Sequence, residues 1–544
     1  MEKLVLTSNK ISTIRNKLID GLTIASGSKS SATYYHSKTE QLNAIRESVE
    51  SMYGLSKELP LIIASQKGVT GKFVSEVLLN ELKNTQNGGA CNIVNPIDWY
   101  DNGLGDKAIL QALDNLNNDN GLPYVLRLFV DLKKNKVNNE RTRKIVLGFI
   151  WGQPNLEFYS MKYRNKIAEV LRHVYGVRRT SILVSIARKL MTFKQENLYA
   201  NEKEAKILND LVLKYFNGDV NKAMGLLLFI FKKDDGINYD VNEFPLLGEY
   251  YKAKRDVFSV SKVPEEVLIG LISNKNHPQH ASFWSSDSQK ESTKALIRKN
   301  VEVTSVNQQV RQTKSTEKLG VDKKVDHGKV TDFLALYKTG YENEFTPEII
   351  NAINDLADKK KINNFIYNNV GIVVDDSNSM TGHKQESKNT PKAIADFTAK
   401  VLSKSANSSK IHKTKGEVTD LATEFIDLLK HEGDNKFDSI FVLTDGYENS
   451  YDGLLNEVID VWKKETGRST PVFQISPITS SEMESSVRKL GDNVTTLAIN
   501  NPVAIQPQIN ARLLEIDAKR WLENELLSLE KTNISRVNKI STNK

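Results

Sequence analysis

At 544 residues, 39% of them hydrophobic and 26% charged, the chain has a globular composition and is too long for one core, so length predicts about two to four domains. The longest purely apolar run, Leu226 to Phe231, falls far short of the roughly 20 residues that span a bilayer. Met1-Glu2-Lys3-Leu4-Val5-Leu6 shows no signal-peptide pattern, so a cytoplasmic protein without membrane association is expected. One cysteine, Cys91, excludes an intramolecular disulfide and any multi-cysteine metal site, and reads as a small loop or core residue.

From about residue 10 to 360 the pattern is mainly helical. Glu204 to Phe216 places Ile207, Leu208, Leu211, Leu213 and Phe216 near one side at spacings of three and four. Lys222 to Lys233 predicts an apolar helix ending in two lysines, as the helix dipole favours. Val263-Pro264-Glu265-Glu266 and Thr346-Pro347-Glu348 are helix starts, with acidic residues in the first turn. Short helices separated by turn residues suggest stacked helix pairs, as in an α-solenoid, although no repeat of fixed period is visible. Residues 276–330 are polar and weakly periodic, and are expected to include exposed loops.

After about residue 361 short apolar strands alternate with amphipathic helices. Strands are predicted at Asn368–Asp375, Ser439–Thr444, Pro471–Ser476 and Val494–Ile499. Helices are predicted at Lys392–Lys404, Thr419–Lys430, Leu454–Lys464 and Ser485–Leu490, and a long one from about Ile505 to Glu530. This is the pattern of a doubly wound parallel sheet, whose ligands bind at the carboxyl ends of the strands. Asp375 and Asp445 fall there.

The net charge of +8 is unevenly spread. Residues 1–360 carry 52 Lys+Arg against 42 Asp+Glu, and residues 361–544 carry 23 against 25. The densest basic window, 121–200, has 16 basic and 5 acidic residues. Within it, Asn155 to Lys166 continues through Arg172-His173 to Arg178-Arg179 and Arg188-Lys189, with Tyr and His interleaved. Such a stretch suits RNA, where cations meet phosphates and flat side chains stack on unpaired bases. The plain alternative keeps Phe158, Met161 and Leu171 in a helical core and the charges in water; both hold if the helix has two faces.

The strand predicted before Asp375 opens into Asp375-Asp376-Ser377-Asn378-Ser379. Asp375, Ser377 and Ser379 can aim oxygens at one point, as hard divalent cations require. Gly416-Glu417-Val418-Thr419-Asp420 and Phe441-Val442-Leu443-Thr444-Asp445-Gly446 follow in order. An aspartyl-phosphate phosphatase needs a second Asp at position 377, and a phosphoreceiver domain needs a Lys where Ile475 to Thr479 has none. Neither enzyme reading survives. Gly68-Val69-Thr70-Gly71-Lys72 departs from a phosphate loop, with Gln66 in place of the first Gly and Phe73 in place of Ser/Thr.

Together the three later stretches resemble the metal-ion-dependent adhesion site of a von Willebrand factor A (vWA) domain. The resemblance implies that Asp375, Ser377, Ser379, Thr419 and Asp445 surround Mg²⁺ or another divalent cation, directly or through water. A helical basic part followed by one A domain, with Ser31-Ala32-Thr33-Tyr34-Tyr35 near the start and Lys162-Tyr163-Arg164 later, resembles the TROVE-domain family of Ro ribonucleoproteins. That implies a multidomain fold: a HEAT-like α-helical repeat ring over 10–360, and an α/β doubly wound, Rossmann-like vWA domain over 361–544. It also implies a non-enzymatic, monomeric protein. Its RNA partners would be small noncoding (Y-like) RNA and single-stranded ends of structured or misfolded RNA, and a nuclease or other protein would dock at the metal site. The candidate RNA contacts are Lys162, Arg164, Lys166, Arg172, His173, Arg178, Arg179, Arg188 and Lys189. Two departures stand out: the stretch Ser405 to Lys415 is polar rather than strand-like, so the edge hairpin is expected to be short or missing, and Asp376 adds a second carboxylate. The alternatives are a protein-binding module that uses the metal, and an A-domain subunit assisting an ATPase.

Overall fold

A computed structural model of the chain describes residues 8–26, 38–83, 91, 93–101, 103–193, 203–304, 324–325, 332–362, 365–377, 380, 390–414, 420–432, 436–448, 451–477, 488–499 and 504–531. The described residues form two compact units that do not follow the expected division at residue 360. One draws on Met1–Leu78, Gly88–Asp119 and Gly328–Lys531, the other on Leu79–Asn87, Asn120–His327 and Thr532–Lys544. The Ser31 to Tyr35 stretch lies outside the described residues.

The second unit is helical. Its helices include Glu140–Trp151, Leu156–Tyr175, Val177–Phe193, Lys203–Tyr215, Val220–Ile230 and Pro245–Ala253. Local chemistry sets their starts: Asn139 and Asp219 accept from the N–H of Thr142 and Lys222, and Pro245 sits in a first turn where its missing N–H costs nothing. Gly176, at φ 84°, breaks the chain between the two basic helices in a conformation that other residues rarely adopt. The apolar helix ends at Ile230, earlier than predicted, because Lys232 turns left-handed at φ 56°. Phe129 and Phe149 pack edge to face at 5.7 Å, and Phe229 lies edge-on to Tyr239 and Tyr250, giving the unit an aromatic interior. The polar stretch 276–330 is not all loop: Ser286 caps a helix over Asp287–Asn300, which buries Thr293 and Ile297 and is otherwise mostly polar. Two short strands, β1 (Val303–Thr304) and β2 (Lys324–Val325), pair in parallel.

The first unit holds a five-stranded, fully parallel sheet. Its strands are β3 (Asn369–Val374), β4 (Ser408–Lys413), β5 (Ser439–Leu443), β6 (Val472–Pro477) and β7 (Thr495–Ile499), in the order β4-β3-β5-β6-β7. β3, β5 and β6 are covered on both faces, hence their near-continuous apolar sequences. Phe441 and Phe473 stack across β5 and β6 at 5.1 Å. The stretch read as too polar for a strand forms β4. It is an edge, half exposed along its length, so pairing with the backbone of β3 holds it rather than buried side chains. The helix expected at Ser485–Leu490 is not formed at Arg488–Leu490, and its earlier residues lie outside the described set.

The same unit joins the start of the chain to its end. Gln66 donates to Glu525 at 2.6 Å and accepts from Asn510 at 3.0 Å, both on the helix Ile505–Lys531. Lys107 donates to the Glu530 carbonyl at 3.1 Å. Gln66, where a phosphate loop needs Gly, is thus a buried cross-link between distant segments.

Candidate functional site

Strand register builds the acidic site. Val374 of β3 pairs with Leu443 of β5, so the residues that follow each strand emerge side by side at the carboxyl end of the sheet. Asp375 continues the ladder through its N–H to the Leu443 carbonyl at 2.9 Å, which fixes its backbone. Its side chain is fully buried. Oδ1 accepts from the Ser377 N–H at 3.0 Å and Oδ2 from the Thr444 hydroxyl at 2.7 Å. Burial pushes the Asp375 carboxyl above its ordinary range, the Ser377 and Thr444 hydrogen bonds pull it back, and the Asp445 carboxylate adds a smaller upward push. Gly446, at φ 93°, turns the chain after Asp445; a Cβ there would meet the Arg488 carbonyl at 2.7 Å.

Of the five expected metal residues, the structure brings together Asp375, Ser377 and Asp445; Ser379 and Thr419 lie outside the described residues. Among the described residues no group of three or more His, Cys, Asp and Glu side chains is placed to hold a metal ion. Two carboxylates beside hydroxyls still fit a hard cation, because Mg²⁺ takes oxygen donors and keeps several waters beside one or two carboxylates. Thr444 was missed as a partner of Asp375, although it stands directly before Asp445 in the quoted stretch. Asp376 turns away from this cluster. It ion-pairs with Lys392 of the helix Thr390–Ser405, and its N–H donates to Thr414 at 2.8 Å.

The nine candidate RNA contacts divide. Arg164 is committed inward: its Nε donates to the Phe229 carbonyl at 2.6 Å, Nη2 meets Asp234 at 3.2 Å, and the guanidinium lies 4.0 Å from the Phe229 ring centre. His173 is held by the Val137 carbonyl at 2.8 Å. Lys162 pairs with Glu266 at 3.4 Å and lies over the Phe158 ring. Lys166, Arg172, Arg178, Arg179, Arg188 and Lys189 are exposed along Leu156–Tyr175 and Val177–Phe193. Arg172 rests over the Phe231 ring at 5.2 Å. Lys166, Arg178, Arg188 and Lys189 have no carboxylate partner among the described residues.

Two cavities flank these helices in the same unit. The larger, about 730 Å³, is lined by Trp151, Glu157, Phe216, Asp219, Lys222 and Leu246, among others. Glu157 accepts there from the N–H groups of Leu246 and Leu247 at 2.8 and 3.3 Å, and burial raises its carboxyl. In the other unit, burial followed by the nearby Glu58 carboxylate pushes the Cys91 thiol up to about 11. A thiol so raised is a poor nucleophile at neutral pH.

No family model matches this chain, and no curated protein matches it. Among solved structures, the crystal structure of Deinococcus radiodurans Ro (RSR) protein is similar to it. The match is 11% identical, with a TM-score of 0.25, and covers 73% of this chain and 93% of that one. At that TM-score the likeness fixes neither fold nor function.

Proposed function

We propose that this chain is a non-catalytic RNA-binding protein, with the RNA carried on the exposed basic face of the helices Leu156–Tyr175 and Val177–Phe193. The observation that carries this is the set Lys166, Arg178, Arg188 and Lys189 on two consecutive helices, open to solvent and without carboxylate partners among the described residues. Clustered unneutralised cations attract phosphates by releasing counterions. By resemblance to the TROVE-domain family, the ligands are small noncoding RNAs and single-stranded ends of structured or misfolded RNA, and the role is RNA quality control. The test is binding of a single-stranded RNA across a salt series. A log–log slope of about −0.7 for each phosphate engaged is expected. A slope near zero, or an unchanged slope when all four cations become Glu, would sink the reading.

The sheet supports a second role in the same molecule. Asp375, Ser377 and Asp445 hold a divalent cation, which supplies a Lewis-acidic centre for a carboxylate of a protein partner. The paired carboxylates at one sheet end favour this. Mg²⁺ at about a hundredfold its dissociation constant should stabilise the protein by about 2.7 kcal/mol, seen as a rise in Tm. Asp445→Ala should abolish that rise, and an equal rise in the variant excludes this site.

A further inference from the structure

The smaller cavity, about 330 Å³, lies among Glu140–Trp151, Leu156–Tyr175, Val177–Phe193 and Lys203–Tyr215. Arg143, Lys144, Arg179 and Lys214 line it. Among the described residues its carboxylates are Glu140 and Asp210, and Glu140 is already paired with Lys144 at 2.9 Å. Val174 and Leu211, both buried, give it an apolar side with Leu147, while Arg179, which also lines it, is exposed. The Tyr175 hydroxyl accepts from the Trp151 indole at 3.2 Å, which leaves its ring to the cavity. Burial pushes the Tyr215 hydroxyl up to about 12, so it stays a donor.

We infer that this cavity seats one nucleotide of a single-stranded RNA, with the base against the apolar side and its phosphate among the four cations. This rests on the RNA reading above and assigns that reading a pocket. Three features select this ligand. The volume is at the small end for ligand sites, which suits one mononucleotide and excludes a duplex. The pairing of an apolar side with a cationic lining matches a ligand with a π face and an anion on one frame. Arg179 lines the cavity and is exposed on the same helix as Arg178, Arg188 and Lys189, so a strand bound to those cations lies on an element that also borders the cavity. The neighbouring 730 Å³ cavity has the opposite chemistry: Glu157 and Asp219 face it, and Lys222 is the one cation lining it among the described residues, so phosphate is repelled.

The experiment is fluorescence anisotropy of a labelled ten-nucleotide oligo(U) with the full chain at fixed salt. Leu147→Trp fills the apolar side and leaves every charge in place. Lys214→Glu reverses one cation and serves if the first variant fails to fold, which thermal unfolding reports. Each variant should weaken binding roughly tenfold, the scale of one stacked base. Leu147→Trp should keep the wild-type salt slope, since no cation is removed, whereas Lys166/Arg188/Lys189→Glu should flatten it. Wild-type affinity in both folded cavity variants overturns the pocket and leaves the RNA reading standing. No binding by wild-type protein overturns both. A separate arm adds AMP: competition with the oligonucleotide supports a shared seat, and a rise in Tm without competition overturns the assignment to a strand.

Discussion

The helix Leu156–Tyr175 bends at Tyr163, whose backbone leaves the helical region at φ −123° and ψ 23°. Cations next to the bend and those beyond it have opposite fates. Around the bend, Lys162 and Arg164 turn to Glu266, Asp234 and the Phe229 ring. Beyond it, Lys166 and Arg172, and then Arg178, Arg179, Arg188 and Lys189 on the next helix, face water. Sequence composition counts all these charges alike. Physically they differ: Arg164 is fixed and neutralised by the buried Asp234, Lys162 is half-buried beside the exposed Glu266, and the exposed set is best placed to replace counterions around a phosphate chain.

The largest expected effect tests the inward set. Asp234 is nearly buried; burial raises its carboxyl and Arg164 offsets that. Arg164→Ala should cost about 3–5 kcal/mol, because it strands a buried charge. Urea unfolding measures this. Adding Asp234→Asn should recover part of the loss, because the stranded charge goes with it. If Arg164→Ala instead leaves stability intact and weakens RNA binding, the division between the two sets is broken.

The next effect tests the outward set. Changing Lys166, Arg178, Arg188 and Lys189 to Ala should leave unfolding within about 0.5 kcal/mol, as surface changes usually do. The same variant should lower RNA affinity by roughly ten- to a hundredfold at low salt. Its salt slope should fall by about 0.7 for each phosphate that is no longer neutralised. Equal losses in stability and affinity would mean these side chains also hold the fold.

The same contrast between local pattern and distant partner decides what could be read in advance. β3, β5, β6 and the far edge strand β7 were legible because each is an apolar run bounded by turn residues or a carboxylate, and the inner three, buried on both faces, must be written that way. β4 was not, because an edge strand is held by main-chain pairing that leaves no apolar signature. The cluster of Asp375, Ser377 and Asp445 was legible as a spacing, whereas Thr444 at Asp375 and Lys392 at Asp376 depend on register and on a helix packed from elsewhere. Arg164 and His173 sit in a stretch that reads as uniformly basic, and the carbonyls and carboxylate that capture them lie far off in sequence, at Val137, Phe229 and Asp234. The division at residue 360 followed the change in periodicity. The bonds from Gln66 and Lys107 to the last helix cross that line, and no local pattern announces them.

The smallest expected effect concerns Glu157, a buried acid nearly two turns before the bend. Its Oε2 ties the first N–H groups of the helix Pro245–Ala253, and burial outweighs those bonds to raise the carboxyl. Glu157→Ala leaves two N–H groups unpaired and should cost about 1–3 kcal/mol. Glu157→Gln keeps an acceptor oxygen and should cost less than about 1 kcal/mol. The pH dependence separates a structural acid from a ligand-binding one. A carboxyl raised in the folded state binds its proton more tightly there than in the unfolded chain. Its contribution is therefore largest at low pH and falls as pH rises from the ordinary carboxylate range through the raised value. Glu157→Gln removes that titration, so its unfolding free energy should change less with pH across that window than the wild type's. The larger cavity predicts the rest: with its carboxylate replaced by an amide, RNA affinity at fixed salt should stay at the wild-type value. A gain in affinity would mean that phosphate approaches Glu157, and that the basic face extends into the half of the helix assigned here to the interior.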